Sequence, residues 1–135
     1  MSNKIIAIIL AYNCQHEIIK TLKKIQKFEK YFFKICIIDN NSRDKTFNKA
    51  NNFIKSRNLK KFEIISNLKN FGQGGSHKAA FEYTLRYNCD YCLIYHGDDQ
   101  ANIFDFKKVF SNKIYKKYDA VLGARFLNGS KLINY

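Results

Sequence analysis

The stretch Phe33-Lys34-Ile35-Cys36-Ile37-Ile38-Asp39-Asn40-Asn41-Ser42-Arg43-Asp44 decides the fold. A short apolar run, closed by a carboxylate and followed by two residues able to cap a helix, reads as a buried strand passing into a helix. Outward from it the same alternation repeats. Lys4–Leu10 is an earlier strand, followed by Ile18, Ile19, Leu22, Ile25 and Phe28 on one helical face. After the quoted stretch, Ser42 or Asp44 caps a helix whose inner face is Phe47, Ala50, Phe53 and Ile54. Phe62–Ser66 is a third strand, Asn70 to Gly75 a glycine-rich turn, and Ala79, Ala80, Tyr83 and Tyr87 mark the next helix. Tyr91–Tyr95 is a fourth strand, Phe106, Val109 and Phe110 a helix, and Ala120–Leu122 a last strand. Strand and helix in regular alternation predict an α/β domain, with a mainly parallel, doubly wound sheet flanked by helices, over residues 1–135.

In such sheets ligands bind beyond the carboxyl ends of the strands. The polar clusters fall there: Tyr12-Asn13, Asp39 to Asp44, and His96 to Gln100. Asp39 precedes the capping residues, so its carboxylate is left over to accept hydrogen bonds from a base or ribose. His96-Gly97-Asp98-Asp99 is the chemically densest point. Carboxylates and an imidazole at a strand end can hold a divalent cation, with oxygen ligands favouring Mg or Mn and the imidazole tilting toward Mn. A solvated acidic turn, with Asp99 capping the following helix, explains the same residues equally well. The glycine stretch has neither the G-x-G-x-x-G spacing of a dinucleotide fingerprint nor the G-K-[ST] of a P-loop. It reads as a tight turn, with Lys78 one turn inside the helix and able to pair with a phosphate.

The 135 residues carry 24 Lys+Arg against 11 Asp+Glu, a net charge of +13. Such a field favours anionic partners. The lysines are scattered along the chain, which argues for a solvated coat and against a defined nucleic-acid groove. Cys14, Cys36, Cys89 and Cys92 include a single C-x-x-C with no second pair, and read as buried free thiols. No apolar run approaches the roughly 20 residues that span a bilayer, and Ile5 to Leu10 lacks the form of a signal peptide. The composition therefore places the protein in the cytoplasm, with peripheral attachment at the inner face of the membrane as a variant.

Taken in order, five segments resemble the family 2 glycosyltransferases of the Rossmann-like GT-A fold, especially the dolichyl-phosphate mannose synthase and undecaprenyl-phosphate sugar transferase group. They are Ile8 to Asn13, Ile37 to Thr46, Asn70 to Gly75, His96 to Gln100, and Asp119 to Phe126. The resemblance implies a UDP- or GDP-sugar donor and a Mg or Mn cofactor. It implies a polyprenyl-phosphate or glycan acceptor, the former at a membrane surface, and no specific nucleic acid. Its nucleotide-sugar-binding positions are Ala11, Tyr12, Asn13, Asp39, Lys78, Asp98 and Arg125, with His96 and Asp98 on the metal. His96 stands where the family has the first Asp of its D-x-D motif, so metal affinity is expected to fall at acidic pH as the imidazole protonates. Leu10 replaces the usual Pro, and Cys14 the acidic residue that often follows Asn13.

The family continues past the G-[SA]-R-[FY] segment, here Gly123 to Phe126, with acceptor-binding elements and the catalytic base. No carboxylate or His follows Asp119, so the base is expected beyond Tyr135 and the fold is expected to be truncated after its donor-binding half. The expected activity is inverting sugar transfer. Its alternatives are a catalytically silent donor-binding or assembly module, being a natural stub or half of a split enzyme, and, more remotely, a basic nucleic-acid-binding protein.

Overall fold

A computed structural model of the chain describes residues 3–124 and 128–129. They form two compact units, Met1–Ile103 and Phe104–Tyr135. The first contains strands β1 (Ile5–Ala11), β2 (Lys34–Asp39), β3 (Phe62–Ser66) and β4 (Tyr91–His96), with helices α1 (Ile18–Gln26), α2 (Thr46–Ser56) and α3 (Gly72–Arg86). In the second, α4 (Lys107–Ser111) lies between short 3-10 turns.

The four strands are all parallel, in the order β3-β2-β1-β4. β1 is buried at every residue, which is why Ile5 to Ala11 is an unbroken apolar run and not an alternating one. Ile6, Ile8 and Leu10 of β1 join Cys36 and Ile38 of β2 in a core cluster with Ala80 and Tyr83 of α3. The intervening residues Ile5, Ala7 and Ile9 point to the other face, where right-handed crossovers put α1 and α2. Those two helices pack against each other, and bury Ile18, Leu22, Ile25, Ala50 and Phe53.

The expected strands and helices of the first unit are present, within a residue or two at their ends except at the start of α3. Two readings are corrected. The glycines of Gly72-Gln73-Gly74-Gly75 do not make a turn before α3; they are its first turn. Gly72 supplies a φ of +70, and a Cβ on Gly75 would lie 2.4 Å from Cβ of Phe71. Ala120–Leu122 is not a strand. Three apolar residues make a strand only when a neighbour completes the ladder, and Leu122 is almost wholly exposed. Of the two candidate caps, Asp44 takes the role, accepting the Thr46 N–H at 2.8 Å where α2 begins.

The sheet order sets the position of any ligand. From β1 the chain moves outward through β2 to β3, then returns to place β4 on β1's other side. The crossovers reverse there, so a crevice opens between the carboxyl ends of β1 and β4. Gly97 is the tightest point of that region. Its N–H donates to Leu10 O at 2.8 Å, and its carbonyl accepts from Thr21 Oγ1 at 3.1 Å. A Cβ there would meet Cys14 Sγ at 3.0 Å, Ile18 Cδ1 at 3.1 Å and Ala11 Cβ at 3.3 Å. Gly97→Ala is therefore expected to destabilise the protein by about 1–3 kcal/mol through overpacking, measured as a lower urea midpoint with an unchanged slope.

Candidate active site

Beyond the ends of β1 and β4 lies a cleft of about 450 Å³, within the range of small-molecule sites. The β1 side contributes Leu10, Ala11, Tyr12 and Cys14; β4 contributes His96, Gly97 and Asp98. Asn40, Asn70, Gly72, Gln73 and Ser76 complete the wall. Tyr12 presents an aromatic ring with 45% of the residue exposed. Among the described residues no Lys or Arg lines the cleft. A chain of net charge +13 thus carries a cleft whose one formally charged side chain among the described residues is Asp98.

The walls are held by side chains that replace backbone partners. The last two carbonyls of β1 serve two different loops: Leu10 O accepts from Gly97 N, and Ala11 O from Asn40 N at 2.8 Å. Asn40, only 6% exposed, is saturated. Its Nδ2 donates to Asn70 Oδ1 at 2.8 Å and Gly72 O at 3.3 Å, and its Oδ1 accepts from Asn67 Nδ2 and Phe71 N. One buried amide therefore ties the end of β2 to the start of α3. Asn13 and Asn41 adopt left-handed backbone, with φ of 45 and 60, a conformation Asn tolerates better than most residues. The Asn13 N–H donates to Ser42 Oγ and its Oδ1 accepts from Arg43 N, both at 2.9 Å. Cys14 N donates to Thr46 Oγ1, and Gln15 N to Asp44 Oδ2. Burial pushes the Cys14 thiol up to about 11, so it is a packed neutral group. All four cysteines are free as expected, but only Cys14 and Cys36 are buried; Cys89 and Cys92 are half-buried.

The structure brings Ala11, Tyr12, His96 and Asp98 together at the cleft and treats the other expected positions differently. Asp39 is buried and does not line it. Its carboxylate accepts from Ser42 Oγ at 2.6 Å, Ser42 N at 3.1 Å and Ser66 Oγ at 3.3 Å. The carboxylate fixes the loop that in turn holds Asn13. Asn13 acts likewise as a brace. Lys78 lies on the exposed side of α3, some 200° around the helix from Ser76 at 100° per residue. Arg125 lies outside the described residues.

The two carboxylates after Gly97 part company. Asp98 faces the cleft, its Oδ1 held by the Gln100 N–H at 3.1 Å. Asp99 has a φ of 57 and turns to α1, where Lys20 and Lys24 each approach to 2.6 Å. It is neither a helix cap nor a metal ligand. Among the described residues no three His, Cys, Asp or Glu side chains converge on one point. A cation at His96 and Asp98 would complete its shell from phosphate oxygens and water, the usual habit of Mg. The chemistry fits: one Asp98 Oδ hydrogen bond leaves lone pairs free, and His96 stands beside it on the same strand end. The His77 ring lies 5.9 Å from that of His96, with Nδ1 2.9 Å from Gln73 O.

Sequence reasoning passed over Asn40, Gln73, Ser76 and His77. A usable signal existed for Ser76. The stripe Ser76, Ala80, Tyr83 is the buried face of α3, and its continuation toward the N-terminus runs past the sheet to the cleft.

A parallel α/β sheet flanked by helices, with its cleft at the switch point, is the Rossmann-like GT-A fold. Residues 6–135 match the family model of Glycosyl transferase family 2, and the chain belongs to that family. It is similar to the uncharacterized protein MJ0544 of Methanocaldococcus jannaschii, 30% identical over 121 residues, which are 89% of this chain and 51% of that protein. It also resembles the crystal structure of S. aureus TarS, with a TM-score of 0.59 and 20% identity, covering 83% of this chain and 20% of that one. At that identity the likeness speaks to the fold. The chain spans about half the length of the archaeal relative.

Burial alone would raise the Asp99 carboxyl, but hydrogen bonds and charge from Lys20 and Lys24 outweigh it and hold it below its ordinary value. A depressed carboxyl stabilises the fold above the unfolded Asp pKa of about 3.9 and loses that contribution as pH falls through the folded value. Asp99→Asn should cost about 1 kcal/mol at pH 7. Thermal melts across pH should show the gap from wild type closing below about pH 4; a gap constant with pH would show that charge is not its source.

Proposed function

We propose that this chain is the donor-binding platform of an inverting, metal-dependent glycosyltransferase that takes a nucleoside-diphosphate sugar. The observation that carries the reading is the cleft's make-up at the β1/β4 switch point: an exposed Tyr12 ring, neutral amides, and His96 with Asp98, without Lys or Arg among the described residues. A diphosphate would meet no cationic side chain among these groups, and the acid would repel it. A nucleoside diphosphate carrying a divalent cation suits the same wall, with the heterocycle against Tyr12 and the cation between Asp98, His96 and the phosphates.

The residues divide the work. Ala11 and Tyr12 form the surface for the nucleoside. Asn13, Asp39, Ser42 and Asn40 hold that surface without touching the ligand. Asp98 and His96 would hold Mg or Mn, with Asp98 oriented by the Gln100 N–H and His96 by its place at the end of β4. When bound, the cation neutralises charge on the departing nucleoside diphosphate. Inversion further requires a base on the acceptor hydroxyl or phosphate, and among the described residues no second carboxylate lines the cleft. That observation favours a second reading, in which the chain binds donor but does not by itself transfer sugar. A polyprenyl-phosphate or glycan acceptor, UDP or GDP as the nucleotide, and the relation to the dolichyl-phosphate mannose synthase group rest on the resemblance of the five segments. Peripheral membrane attachment rests on the basic charge. No helix among the described residues is long and apolar enough to cross a membrane.

Titration calorimetry with UDP- and GDP-sugars tests the proposal. Binding of one of them should require Mn, and Asp98→Ala should weaken it at least about tenfold, the scale of losing a charged contact. Equal binding without metal would refute the metal role. Sugar transfer by the chain alone would reject the second reading.

A further inference from the structure

The hydroxyl of Ser76 is the one buried side-chain oxygen or nitrogen among the described residues without a hydrogen-bond partner. Ser76 is 3% exposed, and it forms part of the cleft wall. Buried polar groups are nearly always paired, so an orphan calls for a physical reason. A hydroxyl in a helix ordinarily bonds the carbonyl four residues back. Thr84 of the same helix does so, donating to Ala80 O at 2.8 Å. For Ser76 the corresponding carbonyl is Gly72 O, which already accepts from Asn40 Nδ2. The amide that ties β2 to α3 thereby occupies the local acceptor and leaves the hydroxyl unpaired, in a residue that lines the cleft with Tyr12, Gln73 and Asn70.

We infer that Ser76 is a specificity-determining contact whose missing partner is a neutral polar group of the nucleoside, either an edge of the base or a ribose hydroxyl. The inference rests on the reading of this cleft as a nucleotide-sugar site. The nucleoside is singled out over the phosphates by charge. With Asp98 the sole charged lining group among the described residues, a bare phosphate is disfavoured at this wall, whereas a heterocycle on Tyr12 with a donor or acceptor at its edge satisfies both the ring and the hydroxyl. A serine hydroxyl both donates and accepts, so it serves either kind of edge.

The inference has an unusual signature. In the free protein the Ser76 hydroxyl is a liability, and Ala is the better helix former. Ser76→Ala should leave the thermal midpoint unchanged or raise it by about 1–4 °C, while weakening nucleotide binding by about 3- to 10-fold, the worth of one hydrogen bond. The experiment is calorimetry of the full chain with Mn and UDP, GDP or inorganic pyrophosphate, on wild type, Ser76→Ala and the near-isosteric Ser76→Cys, alongside thermal melts. Both variants should lose affinity for the nucleotide that wild type binds, and neither should lose affinity for pyrophosphate. Equal nucleotide affinity in wild type and variants would overturn the Ser76 contact while leaving the cleft's function intact. So would an equal loss for pyrophosphate, or a midpoint lowered by several degrees in both variants, which would reveal a partner within the protein. Binding of neither UDP nor GDP by wild type would instead remove the nucleotide-sugar reading itself.

Discussion

Strand β1 is enclosed on all sides: β2 and β4 pair with its two edges, and helices cover its two faces. A strand so placed must give every backbone group a protein partner, because water cannot reach it. The last two carbonyls meet that demand outside the sheet, Leu10 O with Gly97 N and Ala11 O with Asn40 N. Satisfying the central strand thus fixes the start of both loops that wall the cleft. The distance between those loops follows from the spacing of β2 and β4 on either side of β1.

From those anchors the site is built by short polar side chains acting in place of regular structure. Asn40 holds the N-terminus of α3, Asp39 holds Ser42, and Ser42 with Asn13 closes the β1 loop onto the β2 loop. Each is a side chain satisfying backbone groups at a strand or helix end, the places where regular hydrogen bonding stops. The same logic separates Asp98 from Asp99. Positive φ at Asp99 turns one acid toward two lysines of α1 and leaves its neighbour at the cleft. Adjacent identical residues thereby take different places, one paired with the scaffold and the other lining the cleft.

The charge distribution makes the same point at larger scale. Lys and Arg are abundant in the chain, while the cleft carries none among the described residues. Net charge therefore does not describe the cleft wall. Under the proposed function, anion binding at that wall would pass through a cation at His96 and Asp98, and this would tie nucleotide affinity to metal.

Much of this was written in local order. The two central runs, Ile5–Ala11 and Lys34–Asp39, read as parallel strands because burial on both faces favours unbroken apolar residues, and the helical stripes between strands complete the α/β pattern. The polar residues at the strand ends mark the cleft because backbone pairing ends there. His96 and Asp98 were legible for that reason, as was Tyr12. What tertiary structure alone decided is the direction of each side chain and the identity of its partner. The sequence does not show that Ser42 and Ser66 donate to Asp39, or that Lys78 lies on the exposed side of α3. Ser76 looked like nothing until Asn40, 36 positions away along the chain, took the carbonyl it would have used. Periodicity reports which residues leave water; it cannot report which distant donor reaches a given acceptor first, and the chemistry of this site depends on that competition.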